Sequence, residues 1–587
     1  MRRILTGWMG LVLVLVLGLV LAPGLALPMP AAEPGGSLLE LLPDGAVATA
    51  EVNGLGARVK QLRLSGFPIW LVDQQRDSEQ ARQAAEVSRG LSAALGDPAW
   101  EKLETLLGDR FVAAAYSPSQ QKPGMPRVAV IAEVRNKEAL RELLLRASAL
   151  LIAAEDLTKS RKQAGGFNRI WLKNGFRLAF GAQHIVAATD TSLFDDVLVR
   201  ATAKSPPGGS LADGKLLVEA QRTCGAGRPL MGLYAFPKQA AAAYQQPLQF
   251  PTQSDNALAS LLFGDLLLAA SSSAFAAVTV RADDRGVDVS LWQRRAAPPS
   301  ASAAAAFPAT VRVTSPLQPA RGTLFSFSMH RDWSAWYRQR ETVMQASVLP
   351  EFDKFEASIG NLVPGRDFAK DILPLFGPEL SLVVMTPPAA SKTDSGSGLA
   401  LPGMGVVVEL AEPQKADDMM RLLFQTIVAI LNFQAGEQGT QPWVLSHETY
   451  RKIEMTYGRP LSSEANSGNA VLAALRPAAA RIGSRFVFCS SRDACRRLID
   501  QHLDAAGKSR AVASGTRTVL SVPAAVEALQ RNRDPVIAAA VRDGRSLPEA
   551  QAYLAELVEW LAGIQSMSIT SGFQADVARV SWSWRWK

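Results

Sequence analysis

Leu106-Leu107-Gly108-Asp109-Arg110-Phe111-Val112-Ala113-Ala114-Ala115-Tyr116-Ser117-Pro118 has a counterpart 269 residues later, Leu375-Phe376-Gly377-Pro378-Glu379-Leu380-Ser381-Leu382-Val383-Val384-Met385-Thr386-Pro387. Each is an apolar pair, a glycine turn, and a strand-type run that ends in Ser/Thr-Pro. A self-match of this kind is the first thing to test in a long chain.

The match continues outward in order. Pro123-Gly124-Met125 corresponds to Pro402-Gly403-Met404, and Val130–Val134 to Val406–Leu410. Ile185–Asp190 corresponds to Phe486–Ser491, Tyr234–Pro237 to Leu520–Pro523, and Val289–Leu291 to Val580–Trp582. The reading is a tandem duplication: a first repeat over 37–295, an Ala/Pro/Ser linker over 296–309, and a second repeat over 310–587. The Ser391–Ser397 tract reads as an exposed loop inserted in the second copy.

Within a repeat, alternation predicts strands at Ala46–Val52, Pro68–Val72, Phe111–Tyr116, Val128–Val134 and Ile185–Ala188. Helical spacing appears at Asp77–Leu95, Lys137–Ala153, Ser192–Ala201 and Leu258–Ala270. Ala276–Arg281 and Gly286–Gln293 are separated by turn residues, which predicts hairpins rather than parallel crossovers. The expected class is α+β, an antiparallel sheet packed with helices in each of two tandem repeats. The last strand alternates Trp582, Trp584 and Trp586 with polar residues. It reads as a half-buried edge strand rather than part of an outer-membrane barrel, because helices run throughout the chain.

The chain has 587 residues, 48% hydrophobic and 20% charged, with a formal charge of +8. It is long enough for several domains of about 150 residues. No basic stripe occurs, so nucleic acid is not an expected partner. Residues 1–27 read as an export segment. Arg2 and Arg3 precede an uncharged run over residues 4–22, and Pro23-Gly24 breaks it; residues 28–36 then form a linker. Cleavage after Ala26 and retention as a membrane anchor both fit this pattern. The expected location is the periplasm or the outer face of the cell envelope. No later span is expected, since Leu258–Val280 carries Asp265 and Ser271-Ser272-Ser273.

The sequence offers little for catalysis. His184, His330, His447 and His502 form no metal-ligand spacing. Gly209–Leu216 approaches a phosphate-binding loop but ends in Leu216 where Ser or Thr would hold Mg²⁺, so it reads as a loop entering a helix. No nucleophile elbow or zinc-protease motif occurs. Glu133 and Glu409 are equivalent strand-end carboxylates, read as surface charges rather than a functional pair; Asp109 and Asp190 are isolated. No catalytic, cofactor-binding or metal residue is assigned, and no cofactor is expected. Cys224, Cys489 and Cys495 rule out a disulfide framework. Cys489 and Cys495 read as core thiols, with a disulfide between them left open.

The run Leu41-Leu42-Pro43-Asp44-Gly45-Ala46-Val47-Ala48-Thr49-Ala50-Glu51-Val52-Asn53, which leads into a strand, and the later Leu107-Gly108-Asp109 turn resemble the uncharacterised YfaA-like family of exported bacterial proteins. The resemblance would extend over most of 37–587. It implies an envelope location and partners among envelope proteins of the alpha-2-macroglobulin type, and no activity. The expected function is a non-enzymatic binding or assembly module. The alternatives are a hydrolase whose site is not recognisable, or a carrier of an apolar ligand.

Overall fold

The computed structural model describes residues 37–53, 107–119, 125–142, 157–162, 166–172, 176–203, 208–245, 253, 255–256, 273–283, 285–295, 310–313, 322–363, 365–387, 400–437, 442–461, 476–504, 510–513, 515–574 and 576–587. Outside them fall the export segment, the linker over 296–309, the Ser391–Ser397 loop, the strand expected at Pro68–Val72, and the helices expected at Asp77–Leu95 and Leu258–Ala270. The helix expected from Lys137 begins there and is described to residue 142. The chain divides into two units. The first comprises Met1–Gln249 and Ser271–Gln293, the second Phe250–Ala270 and Arg294–Lys587.

Both helices and an extensive antiparallel sheet are present, so the class is α+β. The strands of the first unit are β1 (Ala48–Asn53), β2 (Leu107–Tyr116), β3 (Arg127–Val134), β4 (Leu157–Lys162) and β5 (Asn168–Leu172). They continue with β6 (Arg177–Phe180), β7 (His184–Ala188), β8 (Met231–Ala235), β9 (Ser273–Asp283) and β10 (Gly286–Arg295). They hydrogen-bond in the order β4-β5-β6-β7-β3-β2-β1-β8-β9-β10. Helices α1 (Thr191–Thr202), α2 (Lys215–Thr223) and α3 (Pro237–Tyr244) accompany them. The Asp190 carboxylate accepts from the Leu193 amide and caps α1. One core gathers Ile131, Val112, Val186, Phe194, Val197, Tyr234 and Phe275.

The strands of the second unit are β11 (Thr310–Val313), β12 (Thr323–His330), β13 (Phe376–Met385), β14 (Gly403–Leu410), β15 (Trp443–Tyr450) and β16 (Ile453–Pro460). They continue with β17 (Ala478–Ile482), β18 (Arg485–Cys489), β19 (Arg510–Ala513), β20 (Gly515–Ser521), β21 (Ile564–Gln574) and β22 (Val577–Trp586). β11 pairs with β19 in a small ribbon. The other ten pair in the order β15-β16-β17-β18-β14-β13-β12-β20-β21-β22. Position for position, this is the strand order of the first unit. The helices are α4 (Trp333–Arg338), α5 (Arg340–Val343), α6 (Leu349–Leu362), α7 (Pro413–Glu437), α8 (Arg492–Asp504), α9 (Val522–Arg531), α10 (Arg533–Arg542) and α11 (Leu547–Ala562).

The quoted motif pair falls on β2 and β13. Each strand slips register at its start, between Leu107 and Phe111 in one and between Phe376 and Leu380 in the other. Such a bulge redirects the strand it interrupts. The Tyr234 alignment is one residue off. Tyr234 faces Thr49 on β1, and the residue with that place in the second unit is Val519, facing Ser326, rather than Leu520.

Alternate residues on a strand point to opposite faces, and directly paired residues share a face. In the second unit one face carries Val407, Val487, Ala480 and Met455, and α8 covers it with Cys495, Leu498 and Ile499. The other face carries Phe486, Phe488 and Ala479, beneath Met420, Phe424 and Val428 of α7.

Candidate functional site

Two features rise above ordinary packing: a line of charged residues repeated in both units, and an apolar sheet face of the second unit.

In the first unit Arg110 on β2 grips Glu133 on β3 bidentately, Nε to Oε2 at 3.2 Å and Nη2 to Oε1 at 2.9 Å. Glu133 lies directly opposite His184 on β7. The side chains of Arg110 and Glu133 keep 23% and 29% exposure. Burial holds the His184 imidazole below its ordinary pKa, with Glu133 opposing that shift.

In the second unit the same places hold Glu379, Glu409 and Arg485. Arg485 Nη2 donates to Glu379 Oε2 at 3.0 Å, and both side chains are nearly sealed, at 8% and 2% exposure. Ser381 Oγ donates to Glu379 Oε1 at 3.1 Å, and the Glu379 amide donates to Glu409 Oε2 at 3.2 Å. Burial, then the Glu379 charge, pushes the Glu409 carboxyl above its usual pKa. His330 faces Glu379 across β12 and β13. Arg331 is fully buried. Its amide donates to the Pro378 carbonyl and its Nη1 to the His330 carbonyl. Desolvation lowers the Arg331 pKa to about 9, which still leaves it charged at neutral pH. His502 on α8 is buried, with Nδ1 2.8 Å from the Leu498 carbonyl.

Gly108 and Gly377 make both arrangements possible. A Cβ on Gly108 would sit 2.6 Å from Glu133 Cγ, and one on Gly377 would sit 2.6 Å from Glu409 Cγ. Only glycine lets the glutamate fold back across the bulge. Glu133 and Glu409 are therefore half-buried partners in ion pairs and hydrogen bonds, and the expectation of surface charges is corrected.

A separate buried carboxylate lies within the strand expected at Ala46–Val52, with no functional role assigned to it from the sequence. Glu51 on β1, 5% exposed, accepts from Tyr234 OH at 3.0 Å and from Gln221 Nε2 at 3.2 Å. A signal for it exists: alternation through Ala48-Thr49-Ala50-Glu51 places it on the same face as Thr49, which is buried in the core.

Other singled-out residues have structural roles. The Gly209–Leu216 stretch is a turn against the Leu42-Pro43-Asp44 run. Asp44 N donates to Gly209 O, Leu211 N to Leu42 O, and Asp213 N to Ser210 O. Those amides are engaged by the chain itself. Gly45 takes a φ of +89°, which lets the run turn into β1, and Tyr116 OH holds the Pro43 carbonyl at 2.8 Å. Asp109 pairs with Arg135 at 2.7 Å. His447 Nδ1 lies 3.1 Å from Thr456 Oγ1 on the β15–β16 hairpin. All three cysteines are buried and none is in a disulfide; burial and the neighbouring Cys495 push the Cys489 thiol up. Among the described residues no cluster of His, Cys, Asp and Glu could hold a metal ion. A cleft of about 420 Å³ lined by Ile537, Val541, Leu547 and Gln551 lies between α10 and α11, open to solvent.

The apolar face is traced by register. Phe488, Val406, Leu382, Phe327, Thr518, Ile569 and Trp582 lie in one line across β18, β14, β13, β12, β20, β21 and β22. A second line runs Met404, Val384, Phe325, Leu520, Met567 and Trp584. Helix α7 covers the Phe486–Phe488 end, and at the β21–β22 end Val522 and Val526 of α9 and Leu557, Trp560 and Leu561 of α11 pack with Met567 and Trp586. Met404, Val406 and Ile569 remain 47%, 36% and 40% exposed, and Leu382, Phe325 and Phe327 are half-buried. The corresponding line in the first unit is Val130, Ala113, Ala50, Leu233 and Val278, where alanines replace the large side chains.

The chain matches no family model and no curated protein. Among solved structures it resembles TP0453 in crystal form IV, with 10% identity, TM-score 0.23, and 44% of this chain against 79% of that one. Crystal form I gives 9% identity, TM-score 0.22, and 45% against 80%. At that level of superposition nothing about this chain follows from the likeness. Among the described residues no helix is long and apolar enough to cross a membrane.

Proposed function

We propose that this chain is an exported, non-enzymatic binding module of the cell envelope, built by tandem duplication of one ten-stranded α+β unit. The duplication is supported by the shared strand order and by the bulge glycines, which meet equivalent glutamates at the same distance. Export is supported by the charged and apolar pattern of residues 1–27 and places the chain in the periplasm or on the outer face of the envelope. The YfaA-like resemblance supports an envelope protein as partner.

The binding role is carried by one observation: a line of large apolar side chains, Val406, Leu382, Phe327 and Ile569, with Met404 beside it, that stays half-open on the second unit. Contiguous exposed apolar surface of this kind is unusual on a monomer and marks an interaction site. The polar lines do different work. Their carboxylates are held by neighbouring guanidiniums, amides and hydroxyls, as structural ion pairs are.

A photo-crosslinking residue placed at Val406 tests this. In intact envelopes it should give a protein adduct of one defined mass, lost when Ile569 is changed to Asp. A lipid adduct, with lipid retained in native mass spectrometry, would select the apolar-ligand carrier instead. Loss of neither adduct on Ile569→Asp would remove the face from the binding role.

A further inference from the structure

The interior of the second unit holds a set of charges beside two buried imidazoles. His330 and His502 are 4% and 8% exposed, and the Nε2 atom of each is buried without a hydrogen-bond partner. The groups acting on His330 are Glu379 on β13, Arg331 beside it, Arg485 on β18 and the backbone of Gly515 on β20. Those acting on His502 are Arg485, Glu379 and the Leu498 carbonyl of its own helix. Glu409 on β14 completes the set through Glu379 and Arg485. Two carboxylates thus face the guanidiniums of Arg331 and Arg485, with Arg517 of β20 on the same sheet face beside Ser328. Protonating both imidazoles leaves a buried excess of positive charge, which an apolar interior tolerates poorly.

We propose that the second unit carries an acid-triggered opening: protonation of His330 and His502 loosens α8 from the sheet face of β18, β14 and β13 while the first unit keeps its fold. Helix α8 is the element free to respond. It carries His502, and it covers the sheet face through Cys495, Leu498 and Ile499. The first unit lacks the device. Asn53 stands where His330 stands, and its only histidine on this line, His184, is half-buried beside an ion pair that reaches solvent.

The sign follows from burial. Desolvation lowers the pKa of both histidines below the usual 6.5. The unfolded state therefore takes up protons first as pH falls, and stability is lost from 6.5 downward. Glu409 acts the other way, because its raised pKa favours the folded state on acidification. Two imidazoles against one carboxyl leave a net loss.

Hydrogen exchange of the full chain, corrected for intrinsic rates, reads the opening directly. Between about pH 7.5 and about pH 5.5, amide protection over 485–504 should fall at least tenfold, while that over 184–202 falls less. The His330→Asn/His502→Gln double variant should flatten the response. If protection over 485–504 holds constant, or falls equally in the double variant, the proposal is wrong. If the double variant does not fold, exchange at the imidazole C2 positions of the unaltered chain decides instead. Both histidines must titrate below 6.5, and titration of either at or above that value overturns the device.

Discussion

Gly108 and Gly377 occupy the same place in two units of the same strand order, yet the charges around them are inverted. In the first unit the central strand supplies the cation, Arg110, and the next strand its carboxylate. In the second the central strand supplies the carboxylate, Glu379, and the cation arrives two strands away, from Arg485. The backbone bulge is common to both, and the side chains that fill it are not. The bulge is therefore the constraint, and charge placement is a choice made within it. The choice has an energetic consequence, because the first pair keeps about a quarter of its exposure and the second is sealed.

The largest test of this contrast is to remove one partner in each unit. Glu379→Gln takes the carboxylate from a buried guanidinium and should destabilise the second unit by about 3 kcal/mol. Arg110→Ala breaks a pair that water can reach and should cost on the order of 1 kcal/mol. Urea unfolding with hydrogen exchange over β13 and β2 separates the two. Equal costs would mean that burial does not distinguish the pairs.

The bulge glycines give the next effect. Gly377→Ala and Gly108→Ala force a Cβ against a glutamate methylene, and each should cost roughly 1–3 kcal/mol. The two clash distances agree, so the two costs should agree. A large difference would show that one glutamate yields where the other cannot, and the equivalence of the two bulges would fail.

A smaller effect concerns pH. The Glu409 carboxyl is held above its usual pKa by burial and by Glu379. The folded state therefore binds that proton more tightly than the unfolded chain, and the second unit gains stability from this group as pH falls toward 4.5. Glu409→Gln should remove that slope from a series of urea midpoints measured across acid pH. An unchanged slope would assign the titration to another group.

The strands are the part of this molecule most legible in its sequence. β1, β2, β3 and β7 follow from alternation, and the α+β class from strands joined by turn residues. The charged line is harder to read. Glu133 and Glu409 sit next to strand ends, where composition suggests solvent, and only the bulge turns them inward. His330 looks isolated in the sequence because its neighbours come from β13, β18 and β20, far along the chain. The apolar face is hidden for another reason. Phe325, Phe327, Leu382 and Val406 read as core residues by type, and sequence does not say how much of this face its helices leave open.

Cys489 sharpens the comparison most finely. Ala188 holds its place in the first unit, and Phe194 holds that of Cys495. Both cysteines are buried on the α8 side of the sheet, among Val407, Val487 and Leu498. Burial pushes the Cys489 thiol well up, so the reactive thiolate is scarce at neutral pH. A thiol reagent should therefore leave Cys224, Cys489 and Cys495 untouched in the native chain, and titrate three thiols once urea unfolds it. One thiol after unfolding would mean that Cys489 and Cys495 are joined, and that packing at this site rests on a covalent bond rather than on two small apolar side chains. Reaction in the native chain confined to low pH, with Cys495 labelled as α8 loosens, would instead tie this site to the opening centred on His502.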